Sequence, residues 1–142
     1  MILIASDHAG VAFKAELIGH LSRSGHECHD LGAYTDDSVD YPDIAHDLAR
    51  RVAAGEAELG ILVCGTGIGM SMAANRHRGV RAALCHDGYT AAMARRHNNA
   101  NVLCLGARIL GAGVAEDIVD TFLRESFEGA RHQRRVSKID IE

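Results

Sequence analysis

Cys64 stands where this sequence is best equipped to do chemistry. The thiol ends an apolar run, Leu59-Gly60-Ile61-Leu62-Val63, and opens a loop with glycines at alternate positions, Gly65-Thr66-Gly67-Ile68-Gly69. Glycine lets successive backbone N–H groups turn inward, and a helix N-terminus behind them adds partial positive charge. A strand that runs through such a loop into a helix is therefore a device for holding anions. A thiol in that field is a candidate thiolate, and a thiolate beside converging N–H donors suits proton abstraction next to a developing oxyanion. Two better-known loops do not fit. The dinucleotide fingerprint needs a third glycine where Met70 stands, and a nucleoside-triphosphate loop needs Gly-Lys-Ser/Thr where no lysine occurs. Taken alone, the loop is also compatible with a tight strand-to-helix turn over a buried cysteine.

Three further groups could serve the same chemistry. Asp7-His8 sets an acid and a base at the end of the first apolar run, although Asp is also a common helix cap. His97-Asn98 closes a helical stretch, where the helix dipole favours an imidazolium; alone it would most often be a capping pair. Arg131, Arg134 and Arg135 offer forked donors for a phosphate, but by themselves would be a solvated helix face. Nine histidines raise the question of a metal. His26, Cys28 and His29 are adjacent, yet strand alternation sends neighbours to opposite faces, and no HExxH or paired-cysteine set occurs. The expectation is no metal site. Thiolate, N–H nest, His–Asp pair and arginines together describe a site for a small phosphorylated polyol.

The elements that must position these groups follow from periodicity. Met1 to Ser6 reads as a first strand, and Val11 to Leu21 as a helix closed by Ser24-Gly25. His26 to Leu31 reads as a second strand and Gly32 to Asp40 as a polar loop. Pro42 starts a helix whose apolar face is Ile44, Ala45, Leu48, Ala49 and Val52. Leu59 to Val63, Val80 to Cys85 and Asn101 to Leu105 read as strands three to five. Helices are expected over Met70 to Asn75, Thr90 to Arg96 and from Val114 to Leu123, with a short amphipathic helix in the tail from Gly129 to Ile141. Five strands alternating with helices imply a parallel sheet covered on both faces, an α/β sandwich of three layers. Ligands in such sheets bind beyond the carboxyl ends of the strands. Asp7-His8, Cys64 to Gly69, His86-Asp87 and Arg108 are thus expected to converge.

Composition sets the outer bounds. A chain of 142 residues, 47% hydrophobic and 24% charged, fits one globular domain over residues 1–142. A net charge of -4 without a basic run argues against nucleic acid. No long apolar stretch or signal-peptide pattern occurs, so no membrane association and a cytoplasmic location are expected. The four cysteines, Cys28, Cys64, Cys85 and Cys104, show no paired spacing, and the three in or at the end of apolar runs, Cys64, Cys85 and Cys104, are placed where reduced core thiols are expected.

Several of these motifs occur together in one known family. Asp7-His8-Ala9-Gly10, Asp40-Tyr41-Pro42, Cys64-Gly65-Thr66-Gly67-Ile68-Gly69, His97-Asn98, Leu105-Gly106-Ala107-Arg108 and Gly129-Ala130-Arg131-His132-Gln133-Arg134-Arg135-Val136 resemble the type B ribose-5-phosphate isomerases in order and spacing. The resemblance spans essentially the whole chain. It implies a Rossmann-like fold, no cofactor or metal, and homodimers or tetramers with the site shared between subunits. The implied reaction interconverts ribose 5-phosphate and ribulose 5-phosphate in the pentose phosphate pathway. Cys64 corresponds to the base that moves the proton between C1 and C2 through a cis-enediolate, whose oxygens the N–H groups from Gly65 to Gly69 would stabilise. Thr66 would shuttle hydroxyl protons. His97, from the partner and helped by Asp7, would open the sugar ring. Asn98 would hold a sugar oxygen or the enediolate, and Tyr41 would line the sugar site. His8, Arg108, Arg131 and Arg135 would clamp the phosphate, with Arg108 also from the partner; Arg134 is left without a role. Members that lack the cysteine use a glutamate a few residues on, and Met70-Ser71-Met72 offers none. The wider family also acts on galactose, allose and tetrose phosphates, which the motifs do not distinguish. Galactose-6-phosphate isomerases divide their site residues between two different subunits, whereas this chain carries the full set. A sugar-phosphate binder without activity is the reading from another class, but it would need neither Cys64 nor His97.

Overall fold

The computed structural model describes residues 1–141. Its strands are β1 (Ile2–Ser6), β2 (Cys28–Asp30), β3 (Leu59–Cys64), β4 (Ala82–Leu84) and β5 (Val102–Gly106). Its helices are α1 (Val11–Arg23), α2 (Tyr41–Ala53), α3 (Ile68–Ala74), α4 (Gly88–Arg96), α5 (Ala112–Arg124) and α6 (Arg131–Ile139), and a 3-10 turn at His8–Gly10 precedes α1. Every strand pair is parallel and the order across the sheet is β2-β1-β3-β5-β4.

That order follows from side-chain burial. β1, β3 and β5 are apolar along their length and buried on both faces, as central parallel strands must be. Ile2, Ile4, Ile61, Val63, Leu103 and Leu105 point to the layer of α1, α4 and α5, where Leu17, Leu21, Ile118 and Phe122 meet them. Leu3, Ala5, Leu62, Cys64, Val102 and Cys104 point the other way, against Ala45, Leu48 and Val52 of α2 and Met70 and Ala73 of α3. β2 and β4 have only three residues each, none fully buried, and they take the two edges. β5 therefore inserts between β3 and β4, although β4 precedes it in the chain.

The three-layer α/β architecture, the five-stranded parallel sheet and the C-terminal helix are as expected from the sequence. Some boundaries differ. The ladder takes only Cys28–Asp30 of the expected second strand and Ala82–Leu84 of the fourth, because edge strands pair on one side alone. α3 begins at Ile68 rather than Met70, since the Ser71 N–H already donates to the Gly67 carbonyl. α4 begins at Gly88 rather than Thr90: the Asp87 side chain accepts from the Thr90 N–H at 2.7 Å, a cap two residues earlier. Ile68 and Gly69 thus belong to a helical first turn and not to the loop.

One buried ion pair fixes the loop between β2 and α2. Lys14 on α1 is 2% exposed, and its Nζ lies 2.7 Å from Asp30 Oδ1 at the end of β2. The same ammonium donates to the Ala33 carbonyl. A buried cation at this point holds the start of the segment that leads to Asp40 and Tyr41.

Candidate active site

All strands run the same way, so the carboxyl ends of β1, β3 and β5 share one edge of the sheet. β2 lies on one side of β1 and β5 on the other side of β3, so the direction of winding reverses between β1 and β3. A crevice is expected there, and Asp7 and Cys64 flank it. The Asp7 N–H donates to the Val63 carbonyl at 3.1 Å, which ties the two strand ends together.

Cys64 is 5% exposed, and the Gly67 N–H donates to its Sγ at 3.1 Å. The turn that allows this needs Gly67, whose φ is +81°. A Cβ at that position would lie 2.6 Å from Leu84 and 2.9 Å from the carbonyl carbon of Leu105. The Ile68 N–H donates to Thr66 Oγ1 at 3.2 Å, so the exposed Thr66 hydroxyl keeps its own proton for another acceptor. In the first turn of α3 the N–H groups of Gly69 and Met70 have no intrahelical acceptor. Gly69 also lets Tyr41 approach: the ring Cζ lies 2.5 Å from where a Cβ would stand. The thiol, the N–H groups and the Tyr41 ring therefore share one wall.

On β1, Asp7 Oδ1 accepts from the Ala9 N–H at 3.0 Å, the capping bond that a structural reading predicts. Asp7 is nonetheless buried beside the crevice, at 6% exposure. His8 Nδ1 accepts from the Val39 N–H at 3.2 Å, which leaves Nε2–H of the neutral ring as a donor. Arg108, after β5, lies across Gly65, with Nη1 3.0 Å from the position of a Cβ there. Its guanidinium already sits over the cysteine loop of its own chain, because β5 pairs directly with β3.

His97 and Asn98 are at the other edge. α4 starts after β4 and runs back antiparallel to the sheet, ending at His97 before β5 begins. The two edges are about 15 Å apart along five strand residues. α6 lies at the same far edge: the Glu128 N–H donates to the Arg96 carbonyl at 3.0 Å, and Asp140 pairs with Arg81 at 2.9 Å. Arg131 and Arg135 stand one helical turn apart on its exposed side. A cavity of about 720 Å³ opens at this edge as well, lined by Arg76, His77, Arg81, Asn98, Asp140 and Ile141. It does not reach Cys64. One chain thus divides the expected site residues between two edges of its sheet: Asp7, His8, Tyr41, Cys64 to Gly69 and Arg108 at one, and His97, Asn98, Arg131 and Arg135 at the other.

Two residues in contact with His97 were not singled out from the sequence. The His132 ring stacks on His97 with centroids 4.1 Å apart and planes within 11°. Glu128 Oε1 lies 3.3 Å from His97 Nε2 and 3.9 Å from His132 Nε2. Burial, with His97 and Arg131 close by, pushes His132 below the usual imidazole range. Thirty-one residues separate Glu128 from His97, so no local spacing could have linked them. Of the other cysteines, Cys85 and Cys104 are buried core thiols and Cys28 is half-buried on the edge strand. Burial pushes Cys85 up to about 11 and raises Cys104 further, and it also raises Cys28 on the edge strand.

The class that fold and site define is a parallel α/β protein with a thiol and an N–H nest at its switch point, equipped for a small anionic substrate. The chain belongs to the ribose/galactose isomerase family, whose sequence model matches residues 2–139. It is 44% identical to ribose-5-phosphate isomerase B of Escherichia coli K12 over 138 residues, 97% of this chain and 93% of that protein. The structure of ribose 5-phosphate isomerase from Thermotoga maritima matches with a TM-score of 0.96 at 52% identity, covering 98% of this chain and 96% of that one. Type B ribose 5-phosphate isomerase from Trypanosoma brucei matches at 0.95 and 48% identity, with 98% and 95% covered. No helix among the described residues is long and apolar enough to cross a membrane.

Proposed function

We propose that this protein is an aldose–ketose isomerase that interconverts D-ribose 5-phosphate and D-ribulose 5-phosphate, with Cys64 as its base. The observation that carries the mechanism is the Cys64 turn: a thiol aimed at backbone N–H donors in a crevice at the switch point of the sheet.

In the open-chain aldose the Cys64 sulfur takes the proton from C2, the C1 carbonyl accepts the electron pair, and a cis-enediolate forms. Return of that proton to C1 and loss of the O2 proton give the ketose. Negative charge grows on O1 and O2 during the transfer. The free N–H groups of the first turn of α3 oppose it without moving, which is where such donors act most strongly. The Thr66 hydroxyl, held by Ile68, exchanges protons between the two oxygens. Tyr41 walls the sugar, and His8 Nε2–H with Arg108 holds the phosphate at the same edge.

Ring opening needs an acid at the ring oxygen beside Asp7. His97, steadied by Glu128, supplies it from a second copy of the chain, together with Asn98, Arg131 and Arg135. The support is geometric: one chain keeps these residues at the opposite edge of its sheet, so a two-fold pairing that apposes unlike edges completes two sites at once. Mixing Cys64→Ala with His97→Asn subunits tests the arrangement. Each variant alone is expected to be inactive. After subunit exchange about a quarter of wild-type activity returns, since half the dimers are mixed and each has one intact site of two. No recovery with proven exchange refutes the shared site. A substrate panel of ribose 5-phosphate, allose 6-phosphate, galactose 6-phosphate and erythrose 4-phosphate, without added metal, tests the reaction. Preference for another sugar would keep the chemistry and change the substrate.

A further inference from the structure

His97, Glu128 and His132 form a cluster that the isomerase reaction does not fully use. One ring nitrogen of each histidine and one carboxylate oxygen all lie within 4.8 Å of one another. The two Nε2 atoms are 3.3 and 3.9 Å from the same oxygen, Glu128 Oε1. A tetrahedral ion with bonds of about 2.0–2.2 Å sets its ligands roughly 3.3–3.5 Å apart; the stacked rings hold their nitrogens in nearly parallel planes, so His97 must rotate out of the stack for both to face one ion. His132 is the anchor. It is 5% exposed, on the buried face of α6, and its Nε2 is a buried polar atom with no hydrogen-bond partner. An orphaned buried nitrogen is costly, and a partner approaching from the Glu128 side would satisfy it. Glu128 and His97 are 51% and 38% exposed at their side chains, so they can turn their edges toward an ion held by His132.

We propose that this cluster is a binding site for a borderline divalent cation of the zinc type. Two imidazoles and one carboxylate, with the fourth position open to water, match the preference of zinc and not the all-oxygen shells of magnesium or calcium. Occupancy ties up the ring of His97, the residue assigned above to ring opening. The ion is therefore an inhibitor of the enzyme, released by chelation. The inhibitory part rests on that assignment, whereas binding does not.

The test uses the full-length protein, stripped with a chelator, and zinc as the probe. Calorimetry is expected to show one ion per chain, and cobalt in its place is expected to give the visible absorption of a tetrahedral nitrogen–oxygen site without a thiolate charge-transfer band. Glu128→Gln, at an exposed position that folding does not depend on, weakens binding by more than about tenfold, as does His132→Gln. Cys64→Ala leaves it unchanged. No binding to the folded wild type, equal binding to Glu128→Gln, or loss of binding in Cys64→Ala would each overturn the site. Zinc that binds in this pattern yet leaves turnover untouched overturns the inhibition and, with it, the role given to His97.

Discussion

Gly67→Ala strikes the turn that holds the thiol, and its cost can be worked from the structure. At φ +81° an alanine meets the left-handed penalty, about 1–2 kcal/mol. Its Cβ would also stand 2.6 Å from Leu84 Cδ1 and 2.9 Å from the Leu105 carbonyl carbon. Leu84 is on an edge strand and can yield, but Leu105 is backbone in a central strand and cannot. Overpacking of that kind costs about 1–3 kcal/mol, so the total is about 2–5 kcal/mol, a large part of the stability of a domain this size. The relaxation must move the turn, and the turn carries the N–H that faces Sγ. A displacement near 1 Å lowers kcat by about 10²-fold. Urea denaturation measures the first effect and initial rates on ribose 5-phosphate the second. Gly69→Ala is the control, because there the obstacle is the exposed Tyr41 ring, which swings away: stability is expected to hold while KM rises. A Gly67→Ala protein within about 1 kcal/mol of wild type and with normal kcat would refute the account of the turn.

Lys14→Met removes the charge under the loop but keeps the stem. Breaking a buried pair costs about 3–5 kcal/mol; with the Asp30 side chain one-third exposed and able to solvate, about 2–3 kcal/mol is expected in denaturant melts, with a raised KM as Val39 loses its hold on His8. His46 Nδ1 lies 2.6 Å from His77 Nε2, and burial, then His46, then Arg50 hold His77 below the usual imidazole range. Its contribution to stability is thus complete above the unfolded value, about 6.5, and is lost as pH falls through the lowered folded value. In an NMR titration His46→Asn should move His77 part of the way back up, because burial persists; an unmoved His77 would refute the coupling. Thr90 lowers Asp87 through its backbone and side-chain hydrogen bonds, so Thr90→Ala should raise the Asp87 titration toward the ordinary carboxylate range, seen by carboxyl NMR.

Layer class was legible because parallel strands buried on both faces must be apolar throughout, as Ile2-Leu3-Ile4-Ala5 and Ile61-Leu62-Val63 are. The Cys64 loop was legible because glycines at close spacing leave few alternatives for the backbone. Edge strands were legible only roughly. His26 to Leu31 carries the propensity of a longer strand, yet a single neighbour and the turn at Gly32 stop the ladder after three residues. Helix starts were misplaced by two residues where a cap, Asp87, or a first hydrogen bond, Ser71 to Gly67, decided the matter.

By itself, then, the sequence determined which groups could react and what each strand end would offer, since strand, loop and helix signals are local in the chain. Where those groups meet was decided by the tertiary structure. Parallel strands send Asp7, Cys64 and Arg108 to one edge, and the return of α4 carries His97 and Asn98 to the other. Only packing of α6 against that second edge brings Glu128 and His132 to His97. Contacts between residues remote in sequence depend on the order of strands in the sheet and the direction of each helix, and no spacing along the chain encodes either.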